Sequence, residues 1–209
     1  MEFTSVIEKR ASVREFLPDP VPVPTLKEMV RLAGLAPSAN NAQPWKFIAV
    51  TNRDLLGRMA DTVRQKLEAL LPVSEDPAAK RTRTQVLWFS TFFGEAPAVF
   101  VVLRRPYEAV IDRILPGSGI SHEQINAMRG HPDIQSLGAS IENLLLAAVA
   151  LGYGGCWLSG PLMARPELEQ VLGIRPPWNI GALVAIGKPS GVVERQERKS
   201  LEEIFELRA

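Results

Sequence analysis

The sequence predicts an α+β domain with helices packed around one sheet. Three observations carry this prediction. The strand-like runs are separated by stretches too unequal for a regular alternation of strand and crossover helix. No segment of the chain repeats. Finally, 46% of the residues are hydrophobic against 22% charged, enough apolar material for a real core and unlike a disordered chain. With 209 residues, the chain is expected to form a single domain over 1–209.

Residues 2 to 9 read as a short helix, followed by an extended segment from Arg10 to Phe16 and a proline-rich stretch, Pro18 to Pro24. Pro24 and Thr25 open a helix to about Leu35, with Leu26, Met29, Val30 and Ala33 on one face. Lys46 to Thr51, β-branched and aromatic, is the first strand, and Arg53 to Leu71 returns as an amphipathic helix stopped by Pro72. Ala78 to Gly94 is helical again. Trp88, Phe89, Phe92 and Phe93 make it apolar around most of its surface, which predicts a buried core helix, with the wall of a substrate cavity as the competing role.

Ala96 to Leu103 is a continuous apolar run and reads as a buried central strand. From Arg104 to Pro132 the pattern weakens: Pro116, Gly117 and Gly119 interrupt it, and Ser121 to Arg129 offers only a short polar helix. Residues 104–132 are therefore expected to form an excursion or lid. Ser136 to Leu151 carries the strongest helical signal and is expected to be the central helix, ended by Gly152 and Gly154. Gly155 to Ser159 is a third strand, Ala164 to Leu172 a helix, and Gly181 to Gly187 the last strand. The tail, Lys188 to Ala209, is mostly charged and ends in a short helix carrying Leu201, Ile204 and Phe205.

Composition removes several classes of function. Lys plus Arg number 24 against 23 Asp plus Glu, so no global charge draws the protein to nucleic acid or an anionic membrane. The longest apolar runs are too short to span a bilayer, and the charged N-terminus has no apolar signal core, so a cytoplasmic protein is expected. The single cysteine, Cys156, can form no intrachain disulfide and is expected to be a buried thiol. With only His122 and His131, no metal site is expected, and histidine-dependent hydrolytic chemistry is poorly supplied.

The most unusual stretch is Ala36 to Trp45, Ala-Pro-Ser-Ala-Asn-Asn-Ala-Gln-Pro-Trp, between a helix and a strand. Pro37 and Pro44 restrict the backbone, while Ser38, Asn40, Asn41 and Gln43 present donors and acceptors from a stiff loop. A planar, hydrogen-bonding ligand suits such an edge; the alternative is that Ser38 or Asn41 satisfies local backbone groups.

Arg10, Ser12 and Arg14 alternate along the first extended segment, so all three can face one ligand while Val13 turns inward. Two guanidiniums and a hydroxyl suit a phosphate dianion, against the alternative of a solvated charged face. A second cationic cluster, Arg195, Arg198 and Lys199, precedes the terminal helix, where cations oppose the helix dipole and a bound anion would relieve them. Pairing with Glu197, Glu202 or Glu203 is the rival account. Gly152 and Gly154 do not make a dinucleotide fingerprint: Trp157 stands where a third glycine is needed, and a helix precedes rather than follows. In Ser159-Gly160-Pro161, at the end of the third strand, the glycine allows close backbone approach to a flat ligand, or simply a turn.

Taken together, these segments resemble the FMN-dependent nitroreductase family. The likeness rests on Lys9 to Arg14, Ala36 to Trp45 followed by Phe47-Ile48, Asn143 to Trp157 with its Gly152-Tyr153-Gly154 turn, and Ala182 to Pro189, all in register over most of the chain. It implies a nitroreductase-like fold with a central mixed or antiparallel sheet, and an intertwined homodimer with an exchanged C-terminal extension over 188–209. Two FMN molecules would lie at the dimer interface. By this resemblance Arg10, Ser12 and Arg14 contact the phosphate and ribityl chain, and Arg198 or Lys199 completes the phosphate site. Pro37, Ser38, Ala39 and Asn41 reach the flavin of the other subunit, and Ser159 and Gly160 face the isoalloxazine ring. Ser159 departs from relatives that carry glutamate there. Arg64, Gln65 and Lys66 are open candidates for one further polar contact.

The resemblance also implies an oxidoreductase that takes hydride from NADH or NADPH onto flavin N5 and passes electrons, in ping-pong order, to a nitroaromatic, quinone or enone. No protein side chain is expected to act as acid, base or nucleophile. A reductive dehalogenase or flavin-fragmenting enzyme on the same scaffold is the alternative, as is a flavin-binding module without turnover. Arg104, Arg105 and Arg129, in the excursion, hint at an acidic group on the substrate.

Overall fold

The computed structural model describes residues 2–107, 109–114, 119–193 and 195–208. Four strands, β1 (Trp45–Val50), β2 (Ala98–Arg104), β3 (Gly154–Leu158) and β4 (Asn179–Gly187), form one sheet in the order β1-β2-β4-β3. Every neighbouring pair is antiparallel. The α+β prediction holds, with the sheet of the antiparallel type.

The apolar run in β2 explains the layering. Ala98, Phe100 and Val102 enter one core while Val99, Val101 and Leu103 enter another, because successive side chains point to opposite faces. A strand apolar on both faces needs helices on both. On one side lie α2 (Val23–Ala33) and α7 (Pro132–Ala150), which bring Leu26, Met29, Ile141, Leu144 and Ala148 onto the sheet. On the other, α3 (Arg53–Leu70) and α8 (Arg165–Leu172) bring Leu56, Met59, Val63 and Leu168. The register of β2 with β4 shifts between Val102 and Leu103, leaving Gly181 as the extra residue. A Cβ there would collide with Leu137 of α7, so the bulge lets the central helix sit close.

The central-helix prediction holds, although α7 starts one turn earlier than expected, with Pro132 at its first position. The helix before it differs more. α4 (Pro77–Thr91) ends three residues short of Gly94, and Phe92–Glu95 continue as a 3-10 turn. Phe92 and Phe93 are buried as expected, but Trp88 and Phe89 are 45% and 39% exposed. The expectation of a buried core helix therefore fails over this turn. The positions facing the interior are taken by Ser90 and Thr91, small enough for the backbone of Gly160 to press against Ser90. Trp88 and Phe89 are left on the outer side.

The excursion holds two short helices, α5 (Val110–Ile114) and α6 (His122–Met128); residues 115–118 lie outside the described residues. α6 starts on a capping box, with Ser121 Oγ accepting from Gln124 N and Gln124 Oε1 from Ser121 N. It is fixed to the sheet end through Asp133 of α7, which accepts from Asn126 Nδ2 at 3.0 Å and from Arg104 Nη1 at 2.7 Å.

The chain begins with α1 (Phe3–Lys9), and residues 10–17 then run along the outer edge of β3, where Val13 N donates to Gly155 O at 3.0 Å. The tail first returns beside this segment, with Leu17 N donating to Lys188 O and Ser190 N to Glu15 O. Beyond it, α9 (Leu201–Ile204) and the residues after it leave Leu201, Ile204, Phe205 and Leu207 at least 60% exposed. Among the described residues, no helix is long and apolar enough to cross a membrane.

Candidate functional site

Pairing with β3 fixes the direction of each side chain in residues 10–14. Val13 is 4% exposed and packs over Gly154, where a Cβ would overlap its side chain. Ser12 and Arg14 therefore point the other way, as the alternation predicts. With Trp88, Phe89 and Ser190 they line an open cleft of about 360 Å³. Arg10, Ser12 and Arg14 also influence one buried group. Burial pushes the Cys156 thiol up, and the Arg14 charge, the Ser12 hydroxyl and the Arg10 charge pull it back only in part. Cys156 is thus the neutral buried thiol expected.

These donors suit an anion. The Arg10 side chain is only 16% exposed, yet its one ion pair among the described residues, to Glu142 of α7, is 3.7 Å long. The Arg14 guanidinium lies 5.2 Å over the Phe89 ring and donates from Nη1 to Ser12 O at 3.4 Å. Two half-enclosed guanidiniums with most of their donors unspent among the described residues fit a phosphate group, which takes paired, charge-assisted hydrogen bonds.

A second cavity, about 750 Å³, opens on the α3 side of Arg14, and Arg64, Thr84, Trp88 and Phe92 line it. Of the three α3 candidates, only Arg64 faces it. Lys66 Nζ is held by Glu167 at 2.6 Å, and Gln65 is exposed on the helix surface. Ser159 and Gly160 follow β3 at the start of a 3-10 turn, Gly160–Ala164. The close approach that Gly160 allows is to Ser90 of α4, which places this turn beside the aromatic pair.

The loop over 36–45 is stiffer than its prolines alone require. Asn40, Asn41 and Gln43 have φ of 53°, 52° and 44°, three left-handed residues without a glycine. Hydrogen bonds hold this shape: Gln43 N donates to Ser38 Oγ at 3.0 Å, Gln43 Nε2 to Asn41 Oδ1 at 3.1 Å, and Ala39 N to Ser136 Oγ of α7 at 3.1 Å. Ser38 and Asn41 thus serve the loop itself, while Pro37 and Asn41 stay exposed. Ser136→Ala removes the acceptor for Ala39 and is expected to cost about 1–2 kcal/mol in stability, read from denaturant unfolding.

Within one chain the loop and the Arg10 segment do not meet. The loop feeds β1 at one edge of the sheet, and the segment runs along β3 at the other. Arg198 and Lys199 are exposed and make no hydrogen bond or ion pair among the described residues; neither joins the cleft. Arg195 donates to Glu8 O at 3.2 Å, and Glu203 caps α9 through Ser200 N. Ser190 is a cleft residue that sequence reasoning did not select, whereas Trp88 and Phe89, expected first in the core, line the cleft as their competing reading allowed. An aromatic surplus on α4, beyond what one buried face can take, was the available signal.

The fold and cleft define an α+β protein with helices on both faces of an antiparallel sheet and a basic site at the β3 edge. The profile of the Nitroreductase family matches residues 7–188, and the chain belongs to that family. It is 34% identical to a BluB-like flavoprotein from Clostridium difficile 630, with a TM-score of 0.90 over the whole of both chains. It is similar in fold to an iodotyrosine deiodinase bound to FMN and 3-iodo-L-tyrosine, at 19% identity, TM-score 0.71 and 96% of each chain. It is 23% identical over 200 residues to YfhC of Bacillus subtilis (strain 168), whose name places it with the NAD(P)H nitroreductases; the match spans 96% of this chain and 91% of YfhC.

Proposed function

We propose that this protein is a homodimeric, FMN-dependent oxidoreductase. The observation that carries the proposal is the ridge of Arg10, Ser12 and Arg14, half-enclosed and with donors unspent, in a member of this family. Arg10, Ser12 and Arg14 would bind the phosphate and ribityl chain, with Arg198 or Lys199 completing the phosphate site. Arg64, which lines the cavity beside Arg14, would supply a further polar contact from α3, and Ser159-Gly160 would present backbone to the ring. Bound FMN would supply hydride chemistry at N5, taking hydride from NADH or NADPH and delivering it, in ping-pong order, to a nitroaromatic, quinone or enone.

A dimer supplies what one chain lacks. Pro37, Ser38, Ala39 and Asn41 sit at the sheet edge opposite the Arg10 segment, so a second copy would bring them to the flavin. A loop held in shape before contact loses little conformational freedom on arrival, which favours binding. The exposed apolar residues of α9 and the segment after it have surface to bury, in keeping with an exchanged tail over 188–209.

The purified protein, loaded with FMN, is expected to be yellow, dimeric by sedimentation, and bleached anaerobically by NADH or NADPH. A protein that takes up no FMN sinks the proposal, and one that stays yellow with both reductants is a flavin-binding module. Similarity to the deiodinase bound to 3-iodo-L-tyrosine favours a second reading, reductive dehalogenation. Halide release from an iodinated phenol would support it. Loss of the flavin itself during turnover would instead mark a flavin-fragmenting enzyme.

A further inference from the structure

Residue 160 is a glycine for a reason that lies in the packing. Its backbone is not left-handed, so the turn itself does not require glycine. Space does. A Cβ at residue 160 would stand 2.7 Å from Ser90 Oγ and 3.4 Å from Ser90 Cβ, with the Ser90 Cα at 3.7 Å. The room a side chain would take is thus already filled by α4, and its absence serves that contact rather than a ligand.

One hydroxyl therefore sets the separation between α4 and the turn that follows β3. Ser90 is 4% exposed, which leaves that hydroxyl little room to turn aside. Its neighbour Thr91 is spent on its own helix, donating from Oγ1 to Leu87 O at 2.8 Å. The turn is anchored by the buried Pro161 and Ala164, and Leu162 N donates to Ser159 O at 3.0 Å. Gly160 N donates no hydrogen bond among the described residues, so it is left for a ligand. Trp88 and Phe89, just before Ser90 on α4, line the Ser12–Arg14 cleft, and the contact between residues 90 and 160 ties that wall to the end of β3.

Building on the oxidoreductase reading, we propose that Ser90 is a positioning residue, whose hydroxyl against Gly160 sets where the Ser159-Gly160 backbone stands for the flavin. Ser90 itself touches no cofactor and acts only through the turn. Close-packed interiors pass on a displacement of even one methyl group, so a larger atom on either side of this contact moves the turn. The electronics of a bound cofactor answer to the hydrogen bonds set against its ring, so such a movement is read in the affinity and the potential of the flavin.

The test is a double-mutant cycle of Ser90→Ala and Gly160→Ala, with Ser90→Cys as a variant that overpacks the contact and keeps the glycine. FMN affinity, the flavin midpoint potential and denaturant unfolding of the flavin-free protein are measured for each. Gly160→Ala is expected to weaken FMN binding about tenfold and to shift the potential. Ser90→Ala/Gly160→Ala should return both close to wild type, because the new methyl group takes the place of the lost hydroxyl. Ser90→Cys should shift the potential in the same direction as Gly160→Ala. A loss in Gly160→Ala that Ser90→Ala does not recover assigns the glycine to the ligand and overturns the proposal. So does a series in which only the unfolding midpoint moves, since the contact would then be packing alone. If Gly160→Ala does not fold, Ser90→Cys decides, and wild-type affinity and potential in that variant overturn the proposal. Wild-type protein that takes up no FMN ends the oxidoreductase reading instead, while the coupling of residues 90 and 160 in flavin-free unfolding is still measured, so the two failures give different results.

Discussion

Arg14→Ala is expected to weaken FMN binding by about 2–3 kcal/mol, roughly 30- to 150-fold in Kd, because it deletes a charge-assisted contact at a half-enclosed site. Quenching of flavin fluorescence during titration measures it. The guanidinium also lies over Phe89, so its removal uncovers a ring as well as deleting the proposed phosphate contact. Arg14→Lys should fall between wild type and alanine, since it keeps the charge and loses the fork. Unchanged affinity in Arg14→Ala would remove this residue from the site.

The largest effect on stability is expected from Arg104→Ala, at about 3 kcal/mol. Asp133 is 2% exposed, and losing the Arg104 partner leaves its carboxylate buried and held only by Asn126 and a backbone N–H. Chemical denaturation at pH 7 reads the loss, and a variant as stable as wild type would refute it. Replacing both partners, Arg104→Met/Asp133→Leu, should recover much of the loss, because no unpaired charge remains.

The same pair predicts a pH dependence. Burial pushes the Asp133 carboxyl up, but the Asn126 amide, the Arg104 charge and the Ile134 N–H together outweigh it and hold it below the usual value. Its contribution is therefore complete above the unfolded carboxyl value of about 4, and is lost as pH falls from there through the folded value. Arg104→Ala should show a shallower loss across that acidic range than wild type.

Much of the candidate site's local geometry was legible because local rules decide it. Alternation in an extended segment set Arg10, Ser12 and Arg14 against Val13, and pairing with β3 gave that arrangement. Proline and asparagine marked the 36–45 loop as stiff, and three left-handed residues give the stiffness a structural form. α4 was misjudged for a reason outside its own sequence. Trp88 and Phe89 lost the interior to Ser90 and Thr91 because Gly160 packs there, a contact between residues 70 positions apart. Likewise, Lys66 is withdrawn from the cavity that Arg64 faces by Glu167, which captures it from another helix.

By itself the sequence determined the period of the main helices and strands, the two-faced apolar character of β2, the alternation of the Arg10 segment and the family. All of these depend on neighbours within a few residues or on patterns in register along the chain. Tertiary structure alone decided the antiparallel order β1-β2-β4-β3, the exposure of Trp88 and Phe89, the cavity that Arg64 faces and the pairing of Arg104 with Asp133. The physical reason is that burial and charge pairing are settled by competition for space between distant segments. A local pattern states what a residue prefers, and only packing settles which residue obtains it.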